Sequence, residues 1–299
     1  MTPRTQYVPP AYLALGLGVV CIGTSAIFVK LAGVPGVVSA FYRVFFALLA
    51  LLPLHLGTRT RPTPDRRSWG LVLLGSLFFA GDLVLWNTSI LRTSAAAATL
   101  LANNSPLWVG LGAMLIFRER LSPVYWFGLL IALTGMTIIV GGNALQALHF
   151  NSGDLLAIAA SFFYAGYMLT TQKTRARIDT LTLNLLTMGT CSLMLLPATL
   201  MFGQPLSGFS AGVWLSLLGL GLVPQFLGWL AINYALGQIP AARVSVTLLG
   251  QSVVTAILGI LLLREPLSPA DLIGGVLVLA GIYLVNRRTV PEDGYTKLA

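Results

Sequence analysis

One acidic side chain stands inside a long apolar segment. Asp82 is the only charged residue in 69–91, and Phe79 and Trp86 lie three residues before it and four after it. In a helix these three side chains share one face. A carboxylate in an apolar span is costly unless it meets water, a partner or a proton. The spacing therefore predicts a site for an ammonium group or a proton beside aromatic walls; a structural hydrogen bond is the alternative.

Amides and hydroxyls in other apolar segments are further candidates. Asn103 lies close before Pro106, which is expected to kink its helix and free a backbone carbonyl. We predict that the polar side chains beside this kink and in two later segments line a cavity, with satisfied interhelical bonds as the alternative. These residues are Thr99, Asn103, Gln225, Asn233 and Ser245.

Two tyrosines and one arginine complete the candidate site, although each has a simpler interpretation. Packing or lipid contact is the favoured role for Tyr164 and Tyr167, with cavity lining as the alternative. Arg43 lies near the start of its segment, where long basic side chains usually extend to the membrane surface. If Arg43 instead faces the cavity, it is suited to holding a substrate carboxylate.

The residues needed for catalysis are not apparent in the sequence. His55 and His149 stand alone, and Cys21 and Cys191 lie in apolar runs where a disulfide framework is not expected. The sequence shows no metal-ligand cluster, nucleophile elbow or phosphate-binding glycine motif. We therefore predict that the protein is not an enzyme and has no metal or cofactor.

Composition defines the elements that must position these residues. Hydrophobic residues make up 56% of the 299-residue chain and charged residues only 9%, whereas soluble domains carry about 25% charged residues. This excludes a soluble enzyme, a disordered protein and a nucleic-acid-binding module. No charged residue occurs between Asp179 and Arg243, and a membrane-spanning helix needs about 20 mainly apolar residues. The chain is predicted to be an all-α integral membrane protein.

Turn residues and charge clusters divide the chain into ten predicted transmembrane helices. These are 11–30, 37–56, 69–91, 94–117, 123–141, 154–173, 181–202, 211–235, 240–263 and 269–287. Ser122-Pro123 and Ser268-Pro269 are predicted N-caps followed by proline. Thirteen of the 18 Lys and Arg residues fall on the N-terminal side of the membrane and three on the other. The positive-inside rule then places both termini in the cytoplasm.

An internal repeat relates the two halves of the chain. Residues 117–123 read FRERLSP and residues 263–269 read LREPLSP. The same offset relates Gly128 to Gly274 and Gly135 to Gly281, and these glycines are predicted to allow close helix packing. Each Arg-Glu pair is predicted to form an ion pair and cap at a membrane surface, with a gating role as the alternative. Residues 1–150 and 151–299 thus form two five-helix halves. Five is odd, so the halves are inverted, as in many secondary transporters whose substrate site lies between the repeats; a duplicated scaffold without transport is the alternative.

Ten helices, two five-helix halves and the repeated Arg-Glu-x-Leu-Ser-Pro element resemble the drug/metabolite transporter superfamily, and more narrowly its bacterial EamA-type exporters. The resemblance implies an alternating-access carrier in the bacterial inner membrane that exports amino acids, drugs or metabolites. It favours small amphipathic substrates, including aromatic amino acids. Many members carry a tryptophan in the first span, where this chain reads CIGTS at 21–25, and this difference bears on the substrate.

Two other functions remain open from the sequence. A carrier of anionic metabolites, such as nucleotide sugars or sugar phosphates, needs several cations in the cavity, and only Arg43, Arg243 and Lys30 are candidates. A passive channel is the other. The expected partners are a small-molecule substrate, the lipid bilayer and a coupling proton, without nucleic acid. The oligomeric state is expected to be a monomer or weak homodimer.

Overall fold

The computed structural model describes residues 9–58, 64–90, 92–93, 95–140, 151–263 and 268–287, and all regular secondary structure within them is helical. Eight helical segments there are long and apolar enough to cross a membrane, and Leu100–Ile116 and Pro123–Ile139 are shorter apolar helices. They occupy the ten predicted positions. The predicted all-α membrane fold is therefore confirmed.

The ten spans are numbered in chain order, and their bounds agree with the predicted ones to within a few residues. Span 1 is Pro9–Gly23 and Ser25–Ala32; span 2, Gly36–Gly57; span 3, Arg66–Ile90; span 4, Ala95–Ala102 and Ser105–Ile116; span 5, Pro123–Val140; span 6, Ser152–Arg175; span 7, Thr180–Met201; span 8, Ala211–Leu220, the π-helical Gly221–Gly228 and Trp229–Leu236; span 9, Ala241–Leu248 and Gln251–Leu263; and span 10, Pro269–Asn286.

The predicted caps are present at the starts of spans 5 and 10. The Ser268 hydroxyl accepts a hydrogen bond from the Asp271 backbone N–H, and the Asp271 carboxylate accepts one from the Ser268 backbone in return. Ser122 accepts from the Tyr125 backbone N–H at 3.3 Å. These bonds satisfy N–H groups that the first helical turn leaves free. The second Arg-Glu pair, at 264–265, lies outside the described residues.

Four spans are discontinuous, which the sequence did not predict. Span 4 breaks at 103–104 and span 9 at 249–250, positions related by the repeat. Pro106 does not kink a continuous helix as expected: it lies in the first turn of the second piece of span 4. The Asn104 amide donates to the carbonyls of Leu100 and Leu101, which satisfies groups that the break would expose. Span 1 breaks at Thr24, and Pro224 lies in the π-helical part of span 8.

Successive spans cross in opposite directions, which defines two faces. We call the basic face the one that holds the connections at 117–122, 176–179 and 237–240 and the described ends, 58 and 64–65, of the connection between spans 2 and 3. Two of these connections meet where Arg177 lies 3.5 Å from Asp65. The Ser68 side chain and backbone hold the pKa of the exposed Asp65 carboxyl below its usual range. The opposite face holds 33–35 and 202–210, and there the Tyr42 hydroxyl donates to the Leu206 carbonyl.

Every one of spans 1–5 packs against a span from the second half of the chain. Span 1 packs on span 8, span 2 on span 7, span 3 on span 6, span 4 on spans 6 and 9, and span 5 on span 10. The centre of the bundle is therefore lined by residues from both parts of the chain.

Spans 5 and 10 cross at glycines, as predicted. A Cβ on Gly135 would lie 2.5 Å from the Gly274 carbonyl oxygen, and one on Gly281 would lie 2.5 Å from the Gly128 carbonyl oxygen. Only residues without a side chain allow the two backbones this approach. We call this crossing the glycine seam.

We expect Gly135→Ala to lower the thermal stability of the purified protein, because its Cβ would meet backbone atoms that cannot rotate away. Overpacking of this kind costs about 1–3 kcal/mol. Gly16→Ala is the matched control, since no atom lies within 4 Å of a Cβ at that helical glycine. Melting followed by size-exclusion chromatography in detergent measures both, and equal melting temperatures for the two variants would contradict the close crossing.

Candidate functional site

A polar cluster lies inside the bundle where spans 2, 3, 6 and 8 meet. Arg43 Nε of span 2 donates a 2.7 Å hydrogen bond to Gln225 Oε1 of span 8. Asp82 of span 3 and Tyr164 of span 6 both interact electrostatically with Arg43. The expectation that Arg43 extends to the membrane surface is therefore wrong, because an amide and a carboxylate compensate its charge inside the bundle. We call these four side chains the Arg43 cluster.

The Arg43 cluster borders accessible space, nearer to the opposite face than to the basic face. Arg43 lies about 10 Å along its helix from Gly36, and Asp82 lies about 12 Å from Ile90. Both helix ends belong to the opposite face. The side chains of Arg43, Asp82 and Tyr164 are half-buried, whereas Gln225 is only 1% exposed.

An aromatic layer closes the space on the basic-face side of the cluster. Phe79 stacks on Tyr167 with ring centroids 4.5 Å apart, and Trp229 contacts both rings edge-on at 5.2 and 5.1 Å. Phe79, Tyr167 and Trp229 are at most 3% exposed. Tyr164 contacts Trp229 at 5.9 Å and forms the boundary between the layer and the cluster. Tyr167 is thus a packed core residue, while Tyr164 faces the accessible space.

A buried amide pair supports the aromatic layer from the basic-face side. Asn233 Nδ2 donates to the Tyr167 hydroxyl at 3.1 Å and to Asn184 Oδ1 at 3.0 Å. Asn233 is fully buried, and its Oδ1 finds no hydrogen-bond partner among the described residues. Asn233 therefore holds the tyrosine in place and does not border the accessible space.

The other predicted residues make contacts of their own or cannot be placed. Asn103 Oδ1 accepts from Gln251 Nε2 at 3.2 Å, which links the breaks of spans 4 and 9. Ser245 is buried and donates to the Ala242 carbonyl of its own helix. Trp86 lies one helical turn beyond Asp82 and is half-buried. The side chain of Thr99 lies outside the described residues.

Three residues that contact predicted site residues were not themselves predicted: Trp229, Asn184 and Gln251. Trp229 could have been found, because Gln225, Trp229 and Asn233 recur every four residues on one helical face. Asn184 and Gln251 gave no such signal, because their partners are distant in the sequence. Among the described residues, no group of three His, Cys, Asp or Glu side chains is placed to hold a metal ion.

We expect a cysteine introduced by Asp82→Cys to react with a small hydrophilic thiol reagent about tenfold faster, or more, than one introduced by Asn233→Cys. Asp82 borders accessible space and Asn233 is sealed. The measurement needs a background with Cys21→Ala and Cys191→Ala, which removes the two buried free thiols. Similar rates at the two positions, in variants that remain monodisperse, would contradict the sealed aromatic layer.

Proteins with known sequences and structures are similar to this chain over nearly its whole length. A transporter of Archaeoglobus fulgidus named as uncharacterized is 27% identical, covering 92% of this chain and 95% of its own. A protein of Streptantibioticus cattleyicolor named probable terminal-alkyne amino-acid exporter is 26% identical, covering 86% of each chain. A riboflavin transporter of Vibrio cholerae is 26% identical, covering 76% of this chain and 75% of its own.

A crystal structure shows the same fold, with a TM-score of 0.80 at 19% identity, covering 92% of this chain and 96% of the other. The model of the EamA-like transporter family matches twice, at residues 9–141 and 151–287. Together the two matches cover all ten spans. The chain therefore belongs to the EamA-like transporter family.

Proposed function

We propose that this chain is a secondary active transporter that exports small amphipathic metabolites across the bacterial inner membrane, with amino acids, aromatic ones included, as its main substrates. The observation that carries the proposal is the Arg43 cluster, in which a guanidinium and a carboxylate, both half-buried, interact inside the membrane-spanning bundle. Charged groups at that depth are costly and are typical of substrate or ion pathways. The name of the Streptantibioticus cattleyicolor relative, probable terminal-alkyne amino-acid exporter, agrees with it.

The chemistry of the cluster fits a zwitterion. The Arg43 guanidinium presents a planar set of donors that suits a carboxylate, and Asp82 offers a carboxylate to an ammonium group. Gln225 holds the Arg43 Nε, which leaves the terminal nitrogens of the guanidinium to meet the substrate. The aromatic layer and Tyr164 then form an apolar wall beside the charges. A substrate side chain that is flat and apolar would stack there.

Transport would follow from movement of the two inverted halves, 1–150 and 151–299, around this central site. Breaks at corresponding positions of spans 4 and 9 support this mechanism, because paired interrupted helices mark the binding region of many carriers. By the positive-inside rule the basic face is cytoplasmic. The structure then represents a state that is closed to the cytoplasm by the aromatic layer, with the cluster nearer to the outside.

Two competing functions fit the site less well. A carrier of anionic metabolites needs an excess of positive charge, but Arg43 is balanced by Asp82, and Arg243 lies beside a cavity at the basic face. A passive channel needs a continuous path, whereas Phe79 and its neighbours seal the bundle. Both functions predict transport that does not depend on the zwitterionic character of the substrate.

We expect single-charge variants to separate the two ends of the substrate in liposome counterflow assays. Asp82→Asn should weaken the binding of phenylalanine about 10- to 100-fold without weakening that of 3-phenylpropionate, which lacks the ammonium group. Arg43→Gln should weaken the binding of phenylalanine by a similar factor while leaving that of phenethylamine, which lacks the carboxylate, unaffected.

Asp65→Asn is the matched control for the loss of one carboxylate, because Asp65 lies exposed at the basic face, beside Arg177. It should transport as the parent protein does. If no amino acid shows saturable exchange in the parent protein, the substrate assignment fails.

We further expect Asp82 to bind the coupling proton. One carboxylate that binds either an ammonium group or a proton makes the two compete, which produces exchange of one for the other. Asp82→Asn should therefore abolish the stimulation of transport by a pH gradient, measured at saturating substrate so that weakened binding does not enter. Unchanged pH-driven transport in this variant would refute the assignment.

A further inference from the structure

A second set of polar contacts joins the two halves of the chain near the basic face. Gln172, in the last turn of span 6, donates from Nε2 to Glu119 Oε1 at 3.3 Å. Its Oε1 accepts from the Ala241 backbone N–H, the first of span 9, at 2.6 Å. One side chain thus connects the 117–122 connection of the first half to two spans of the second.

Gln172 lies between the aromatic layer and the basic face. Tyr167 of that layer precedes it by five residues on span 6, and Met168, one helical turn before it, is fully buried. Gln172 itself is half-buried. From the basic face, Gln172 therefore lies before Met168 and the aromatic layer along span 6.

A cavity of about 320 Å³ opens at the basic face beside these contacts. Glu119 and Ala242 line this cavity. Glu119 accepts a hydrogen bond from Gln172, and Ala242 follows Ala241, whose backbone N–H donates to Gln172. Tyr125 forms a further wall, and its hydroxyl lies 3.5 Å from the Ala242 carbonyl oxygen and 3.4 Å from that of Pro106. The cavity volume is within the range of small-molecule sites, which begins at about 300 Å³.

We propose that Gln172 is the latch of a gate at the basic face, and that the cavity beside it is the vestibule from which substrate is loaded. With both hydrogen bonds of Gln172 formed, the path from the vestibule to the Arg43 cluster is closed. When they break, the 117–122 connection separates from spans 6 and 9 and the path opens. This inference rests on the proposed alternating-access function.

The latch requires a side chain with both a donor and an acceptor, as the amide of Gln172 has. Glu119 supplies an acceptor, whereas Ala241 supplies a free N–H at a helix start, so the residue between them must both donate and accept. Span 1 aligns with span 6 at an offset of 143 residues, which relates Gly23 to Gly166 and Lys30 to Lys173. At this offset Gln172 corresponds to Val29, which has neither group. The corresponding position of the first half therefore provides no equivalent latch, and the contact favours the state closed at the basic face.

The test measures the accessibility of a cysteine behind the latch. Met168→Cys is introduced after Cys21→Ala and Cys191→Ala, and its reaction with a membrane-impermeant maleimide is followed in vesicles of both orientations. We expect Gln172→Ala to raise the rate from the basic face about tenfold, the shift that loss of two hydrogen bonds would produce. Gln204→Ala, which removes a half-buried glutamine at the opposite face, is the matched control and should change nothing.

A charge exchange separates a latch from a general packing role. Gln172→Glu keeps the acceptor for Ala241 but places a carboxylate against Glu119, so the rate at the reporter should rise. Adding Glu119→Gln restores one donor and one acceptor between the two positions, and the rate should return to that of the parent. If Met168→Cys lowers the yield of folded protein, Ser245→Cys on span 9 serves as the reporter, since Ser245 is also buried.

An unchanged rate in Gln172→Ala, in protein that remains monodisperse, would overturn the proposal, as would failure of the double variant to restore the parent rate. The labelling assay needs no substrate. Its failure therefore leaves the proposed function standing, whereas absence of amino-acid exchange alongside normal labelling would reject the substrate and keep the gate.

Discussion

The charge of Arg43 inside the bundle is the constraint on which the rest of the arrangement depends. A guanidinium in a low-dielectric interior must be compensated by hydrogen bonds and opposite charge. Gln225 of span 8 supplies a hydrogen bond, and Asp82 of span 3 supplies the opposite charge. These requirements fix how three helices face one another, and Phe79, one turn from Asp82, is then directed into the aromatic layer. The sealed and accessible sides of the site follow from this placement.

The fold was largely predictable from the sequence, because hydrophobic length, caps and repeated glycines act locally. Ser268 and Gly135 are examples. A capping residue bonds only within its own helical turn, and the crossing at Gly135 needs only glycines at positions that the internal repeat relates. The direction of Arg43 was not predictable, because its partner Gln225 is remote in the chain and the local sequence favours the membrane surface. The helix break at 103–104 was also missed, since proline alone does not distinguish a kink from a new start.

Rigid and interrupted parts of the bundle are separated in space. The glycine seam brings the backbones of spans 5 and 10 into direct contact, which leaves little room for sliding. Spans 4 and 9 instead break at related positions, and the Gln251 side-chain amide donates a hydrogen bond to that of Asn103 between the two breaks. Span 9 also starts at the residue that Gln172 holds. Rearrangement of the site is thus best accommodated by the broken spans, with the seam as the fixed reference.

The symmetric frame carries an asymmetric site. Both charges of the Arg43 cluster come from the first half of the chain, whereas Tyr164, Tyr167 and Trp229 come from the second. The part that would hold the charged end of a substrate and most of the part that would hold its side chain thus come from different halves of the chain. Substitutions in the second half would change the preference for the substrate side chain and leave the charged groups of the first half in place.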